Sequence, residues 1–297
     1  MFIGASEFAP FSRPCGVSRG APTCYDRPSS EPTTIKTLGP PSFMARTDFR
    51  TPRLHVTDAL AEGETVALPQ GQTSYLVNVL RLDARARVLL FNGRDGEFAA
   101  SLATVSRKSA TLAVGERIRP QETPPDVEFL FAPLKHARLD YVAQKAVEMG
   151  ASRISPVMTR RTQAGRINLE RLEANAIEAC EQCGVIWVPE VRPLRPLEKA
   201  LSEWPKARLL VFCDEDAPQE SPLDALQRQR GALGVSLLIG PEGGFEEDER
   251  RAILAVPSCL RISLGPRILR ADTAAVAALA LIQATHGDWP KSIAEAR

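Results

Sequence analysis

From residue 127 onward the sequence alternates short apolar runs with segments of helical periodicity, and that alternation limits the fold more than any other feature. Val127–Ala132, Ile154–Val157, Leu209–Cys213, Val235–Ile239 and Leu260–Leu264 read as buried strands. Between them Leu139, Val142, Ala143, Ala146 and Val147 recur at helical spacing and stop at Gly150. Leu169–Cys180, Leu197–Trp204, Leu223–Arg230, Glu246–Ala255 and Asp272–Ala284 read as further helices. Strands that are apolar throughout and alternate with helices predict a mainly parallel sheet covered on both faces. The last helix is apolar on nearly every side, which predicts burial all round, in the core or against a second subunit.

Ahead of this region the grammar differs. Leu54–Val56, Thr65–Leu68, Val88–Phe91, Phe98–Leu102 and Ala110–Val114 are short β-like runs broken by turn residues, so residues 44–120 should form a small β-barrel or sandwich. Asn92-Gly93 marks a hairpin, and Tyr75–Leu80 a short helix. Arg81, Arg85, Arg87 and Arg94 gather here against Asp83 alone, a candidate patch for a polyanion. The run from Arg119 to Asp126 is a polar, proline-rich linker leading to a second domain over 127–297. Residues 1–43, rich in Pro, Ser, Thr, Gly and Arg, have no apolar periodicity and are expected to be a disordered extension from a mis-assigned start, with Met44 the expected true start.

The 37 basic and 36 acidic side chains leave a formal net charge of +1, so any nucleic acid must be held by local patches. Arg160, Arg161 and Arg166, in a stretch without acids, form a second such patch. No apolar run approaches the roughly 20 residues that a membrane helix needs. Six scattered cysteines lack the density of a secreted disulfide framework and suit a reducing cytoplasm. Cys180 and Cys183 have no second pair or histidine at ligand spacing, so no metal site is expected.

In an open α/β sheet, ligands bind beyond the carboxyl ends of strands. Two such exits are rich in glycine and proline: Leu237-Leu-Ile-Gly-Pro-Glu-Gly-Gly-Phe245, and Ile262-Ser-Leu-Gly-Pro-Arg-Ile-Leu-Arg-Ala-Asp-Thr273, the latter leading to a helix capped by Asp272 or Thr273. Neither carries a Walker lysine or a G-x-G-x-x-G spacing, which disfavours a phosphate cradle. Glu246, Glu247 and Asp248 belong to the first turn of a helix, where acids suit the dipole. Glu242 stands apart, inside the glycine loop.

These two loops, with Gln144-Lys-Ala-Val-Glu-Met-Gly150 and Glu178-Ala-Cys-Glu-Gln-Cys-Gly184, resemble in order and spacing the RsmE family, which methylates N3 of a uridine in 16S ribosomal RNA with S-adenosylmethionine. The resemblance implies a PUA-like barrel followed by an α/β domain of the SPOUT superfamily, with a trefoil knot and a homodimer. It also implies that Ile239, Gly240, Pro241, Glu242, Gly243, Leu264, Gly265, Ile268 and Leu269 hold the cofactor through main-chain groups. The acceptor nitrogen carries a proton, so the chemistry needs a base or a cationic stabiliser of the anion. Arg270 is the candidate cation, and Glu242 and Asp272 are the candidate bases.

Three positions depart from the family pattern. Val185-Ile-Trp187 stands where an arginine is common, Asp272 where many relatives have Glu, and His136-Ala137 in a turn that often contains glycine. Two other readings remain open: a different SPOUT methyl transfer, to a ribose oxygen or guanine N1, and an inactive RNA-binding assembly factor.

Overall fold

The computed structural model describes residues 50–289 except 107, 108, 136, 164 and 219. The expected disorder of 1–43, the start at Met44 and the turn at His136 lie outside the described residues.

The first sheet contains β1 (Arg53–His55), β2 (Thr65–Ala67), β3 (Arg87–Phe91), β4 (Glu97–Val105) and β5 (Ala110–Arg119), in the order β1-β3-β4-β5-β2. β1 joins β3 in parallel, and the other pairs are antiparallel. Leu54 of β1 and Val66 of β2, from opposite ends of that order, share one core with Leu76, Val88, Leu90, Leu102 and Leu112, so the sheet must curl around it. Three register shifts between β4 and β5 supply the bend. The expected hairpin joins β3 to β4 through residues 92–96, with Asn92 Oδ1 accepting the N–H groups of Arg94 and Asp95 at 3.0 and 2.9 Å.

Two boundaries differ from expectation. The helix expected at Tyr75–Leu80 begins earlier, as α1 (Gln70–Ser74) running into a π-helical turn at Tyr75–Val79. Pro69 at its N-cap starts it with a fixed φ of −54°, but the polar first turn carries no apolar rhythm. β5 extends to Arg119, where the linker was expected to begin, because main-chain pairing to Phe98 and Glu97 continues through polar residues.

The second sheet is wholly parallel. It consists of β6 (Val127–Phe131), β7 (Arg153–Met158), β8 (Glu190–Val191), β9 (Arg195–Pro196), β10 (Leu209–Cys213), β11 (Val235–Ile239) and β12 (Cys259–Ile262). The order is β12-β10-β11-β6-β7-β8, with β9 also on β7. The helices are α2 (Ala137–Glu148), α3 (Leu169–Cys183), α4 (Leu197–Ser202), α5 (Pro222–Gln227), α6 (Glu247–Leu254) and α7 (Ala271–Thr285). Successive strand residues face opposite sides. Phe129 and Phe131 pack with α2, α3, α5 and α7, while Leu130, Phe212 and Leu238 pack with α4 and α6. The two-residue strands β8 and β9 are too short to show a pattern.

After β12, at one edge, the chain returns to lay α7 against α2, α5 and β11. A knotted path needs such a return. α7 is not buried all round in the single chain: Ala275, Ala278, Leu279 and Ile282 are buried, whereas Val276, Ala277, Ala280 and Ala284 are half-buried along another face. Its N-cap is Arg270, not Asp272 or Thr273.

Candidate active site

The carboxyl ends of β12, β10 and β11, three neighbours in the sheet, open into one cleft of about 820 Å³. Both loops singled out in the sequence line it. Ile239, Gly240, Pro241, Glu242 and Gly243 come from the exit of β11, and Leu264, Gly265, Ile268, Leu269 and Arg270 from the exit of β12. Gly240 is needed for space, since a Cβ there would sit 2.6 Å from Cε2 of Phe245. Gly265 is needed for conformation, with φ at +98°. Ile268 sits on this wall with its side chain 98% exposed.

A third wall escaped the sequence reading. Cys213, Asp214, Glu215 and Asp216, at the exit of β10, also line the cleft. Asp214 is buried, and its Oδ2 accepts from Arg250 Nη2 at 2.9 Å and Arg261 Nε at 2.8 Å, fastening this loop to α6 and β12. The signal available was a strand ending in a run of acids, without the glycines that drew attention to the other two. Burial pushes the Cys213 thiol up to about 12, so it remains protonated.

The proposed catalytic trio is brought together only in part. Arg270 and Glu242 both line the cleft, and Glu242 Oε1 lies 3.3 Å from Arg138 Nη1. Asp272 is not part of the lining. Its Oδ1 accepts the N–H of Thr273 at 2.8 Å in the first turn of α7.

The two basic patches are rearranged. Arg81, Arg85 and Arg87 are exposed beside the start of β3, and Arg81 and Arg85 hold left-handed backbones with φ of 54° and 70°. Arg94 lies beyond the other end of that strand and donates to the carbonyl of Thr57 at 3.1 Å. Arg160 pairs with Asp248 at 3.4 Å and Arg161 with Glu246 at 2.7 Å, so these two are tied to the start of α6. Arg166 is exposed. Cys180 is buried, its thiol pushed up chiefly by burial, and Sγ donates to the Trp187 carbonyl at 3.4 Å. Among the described residues no cluster of three or more His, Cys, Asp or Glu side chains could hold a metal, and no helix is long and apolar enough to cross a membrane.

Residues 121–283 match the model of an RNA methyltransferase domain, and residues 68–115 that of an RNA methyltransferase PUA domain. The ribosomal RNA small subunit methyltransferase E of Synechocystis is 31% identical over 229 residues, covering 74% of this chain and 73% of that protein. The chain belongs to the ribosomal RNA small subunit methyltransferase E family. The Rickettsia conorii member is 28% identical over 232 residues, 78% of this chain and 94% of its own. The crystal structure of the Neisseria gonorrhoeae member, bound to S-adenosyl methionine, has a TM-score of 0.70 at 28% identity, covering 80% of this chain and 99% of that one. Fold class follows directly: a SPOUT-type α/β methyltransferase domain preceded by a PUA-like β-domain.

Proposed function

We propose that this chain methylates N3 of a uridine in small-subunit ribosomal RNA, using S-adenosylmethionine bound in the cleft beyond β10, β11 and β12. The observation that carries the reading is the convergence of two glycine-proline turns on one cleft, in a chain of this family. The cofactor has an adenine edge, a ribose and a cationic sulfonium but no phosphate. Main-chain groups of residues 239–243 and 264–269 suit the first two, and the acids of the β10 exit suit the cation. When bound, it supplies an electrophilic methyl group.

This chain's own residues then have two tasks: to favour loss of the N3 proton and to hold the resulting anion in line. Arg270, on the cleft wall, stabilises the developing negative charge. Glu242 accepts the proton, and its pairing with Arg138 orients it. Asp272, outside the cleft lining with its Oδ1 bonded to Thr273, is given no catalytic part in this reading.

N3 lies on the Watson–Crick edge, so the uridine must be unpaired or flipped out. Residues 50–120 would hold the flanking RNA, with Arg81, Arg85 and Arg87 as phosphate contacts. A second copy of the chain would cover the half-buried face of α7, and the enzyme would act in the cytoplasm, where its substrate is made.

The test is to map modified nucleosides in 16S ribosomal RNA from a deletion strain, with and without complementation. Loss of one N3-methyluridine, restored by the wild-type gene and not by Arg270→Ala, is expected. An unchanged N3-methyluridine content in the deletion strain would refute the substrate.

A further inference from the structure

The turn after β7 belongs to none of the three strands that open into the cleft, yet it grips one of the cleft's walls. The turn is closed by Thr159 and Thr162: Thr159 N–H donates to Thr162 Oγ1 at 2.9 Å, and Thr162 N–H to the Thr159 carbonyl at 3.2 Å. At its apex Arg160 N–H donates to Oε1 of Glu249 at 2.8 Å. The other oxygen of this buried carboxylate accepts the N–H of Glu246 at 3.0 Å. Arg161 completes the bridge, with Nε donating to Glu246 Oε1 and Nη1 to the Gly243 carbonyl, both at 2.7 Å.

Gly243 lies in the cleft wall and is followed by Gly244 at φ +71°. Two adjacent glycines give that turn more backbone freedom than any other part of the cleft. Within the turn, Gly244 N–H donates to the Pro241 carbonyl at 2.9 Å. The Arg161 guanidinium, itself part of the cleft lining, holds the turn from across it, its planar fork spanning a carbonyl and a carboxylate at once.

We propose that Arg161 is a positioning residue of the cofactor cleft, fixing the Pro241–Gly244 turn in the shape that receives the cofactor, and is not a phosphate contact for RNA. The inference rests on reading the cleft as the cofactor site. Meeting a phosphate with Nε and Nη1 would cost Arg161 both Glu246 and Gly243. Lysine, a point charge, can satisfy one of those partners but not both in the same plane.

The test compares wild type, Arg161→Lys and Arg161→Ala by calorimetric titration with S-adenosylhomocysteine, binding of a ribosomal RNA fragment at several salt concentrations, and steady-state kinetics. For Arg161→Ala, the Kd for S-adenosylhomocysteine and the KM for S-adenosylmethionine should rise roughly five- to twentyfold, the effect of losing a charge-assisted hydrogen bond. For Arg161→Lys they should rise less. In both variants kcat, RNA affinity and its salt dependence should stay within about twofold of wild type. Arg161→Lys keeps the charge and carries the test if the alanine variant does not fold.

Loss of RNA affinity with a shallower salt slope, at unchanged cofactor affinity, would overturn the proposal in favour of a phosphate contact. Wild-type affinity for both ligands in the variants would overturn it too. Failure of the wild-type protein itself to bind S-adenosylhomocysteine would instead refute the cofactor reading, and this inference with it.

Discussion

Gly240 and Gly243 sit three residues apart in the same loop and do different work. A methyl group on Gly240 would strike the ring of Phe245, which packs edge-on against Phe212 with centroids 5.4 Å apart. At Gly243 the nearest atom to an added Cβ is Arg161 Cδ at 3.5 Å, an ordinary contact, and φ is not left-handed. Gly240→Ala should therefore cost about 1–3 kcal/mol through overpacking, while Gly243→Ala should stay within about 0.5 kcal/mol. Urea denaturation of the two variants checks this, and equal losses would show that loop freedom, not the Phe245 ring, selects glycine at 240. The glycines themselves were legible in the sequence, because that residue is conspicuous at the end of an apolar run. The reason for Gly240 was not, since it depends on a ring five residues away folding back onto the turn. Asp214 was hidden for the opposite cause: acids are common in loops, and only its burial under Arg250 and Arg261 distinguishes it.

At the level of strands and helices, apolar rhythm located nearly every element of the second sheet, because those strands are buried on both faces and their helices present one apolar side. What rhythm concealed is the polar staple inside them. Glu128, in an otherwise apolar strand, is buried on β6 and accepts from Ser155 Oγ of β7 and Ser236 Oγ of β11, each at 2.7 Å. Arg192 Nη1 at 3.1 Å and Arg208 Nε at 3.3 Å complete its surroundings. Burial alone would raise its pKa. The two hydroxyl bonds and the two guanidinium groups together outweigh burial and hold the carboxyl below its ordinary value. One side chain thus ties the three central strands at the end opposite the cleft. Glu128→Ala leaves two arginines and two hydroxyls without their shared partner. It should cost about 1–3 kcal/mol, the range for leaving buried hydroxyls unsatisfied, because Arg192 keeps Glu190 and Arg208 keeps Asp126. The measurement is the urea midpoint at unchanged m-value. A loss below about 1 kcal/mol would mean that the hydroxyls find water and that apolar packing alone sets the strand register.

Across the whole molecule, the sequence pattern separated a β-rich region from an α/β region but left strand order and the join between them unread, because both are set by contacts between residues far apart in the chain. The join is built at α3. The His55 N–H of β1 donates to Glu181 Oε1 at 2.8 Å, Arg119 Nη1 of β5 donates to the Gly184 carbonyl at 3.0 Å, and Phe91 of β3 enters the core of the second sheet. The segment Glu178–Gly184, one of those that carry the family resemblance, is thus the surface on which the β-domain sits. Burial pushes the Glu181 carboxyl from 4.5 up to about 6. The His55 N–H bond opposes the rise, and the nearby charge of Glu178 adds to it. Between those two pH values the folded chain holds a proton that the unfolded chain releases. Its contribution to stability is therefore complete below about pH 4.5 and is lost as pH rises through about 6. Above that range the ionised group opposes folding by at most about 2 kcal/mol, nearer to 1 once solvent screening of a half-buried group is allowed for. Glu181→Gln keeps an acceptor for His55 without the charge. At pH 7.5 it should stabilise the protein by about 1 kcal/mol, and at pH 4.5 it should leave stability unchanged. Urea denaturation of both proteins at the two pH values decides the matter. A variant weaker than wild type at pH 7.5 would mean that charge on residue 181, not merely an acceptor there, keeps the β-domain in place.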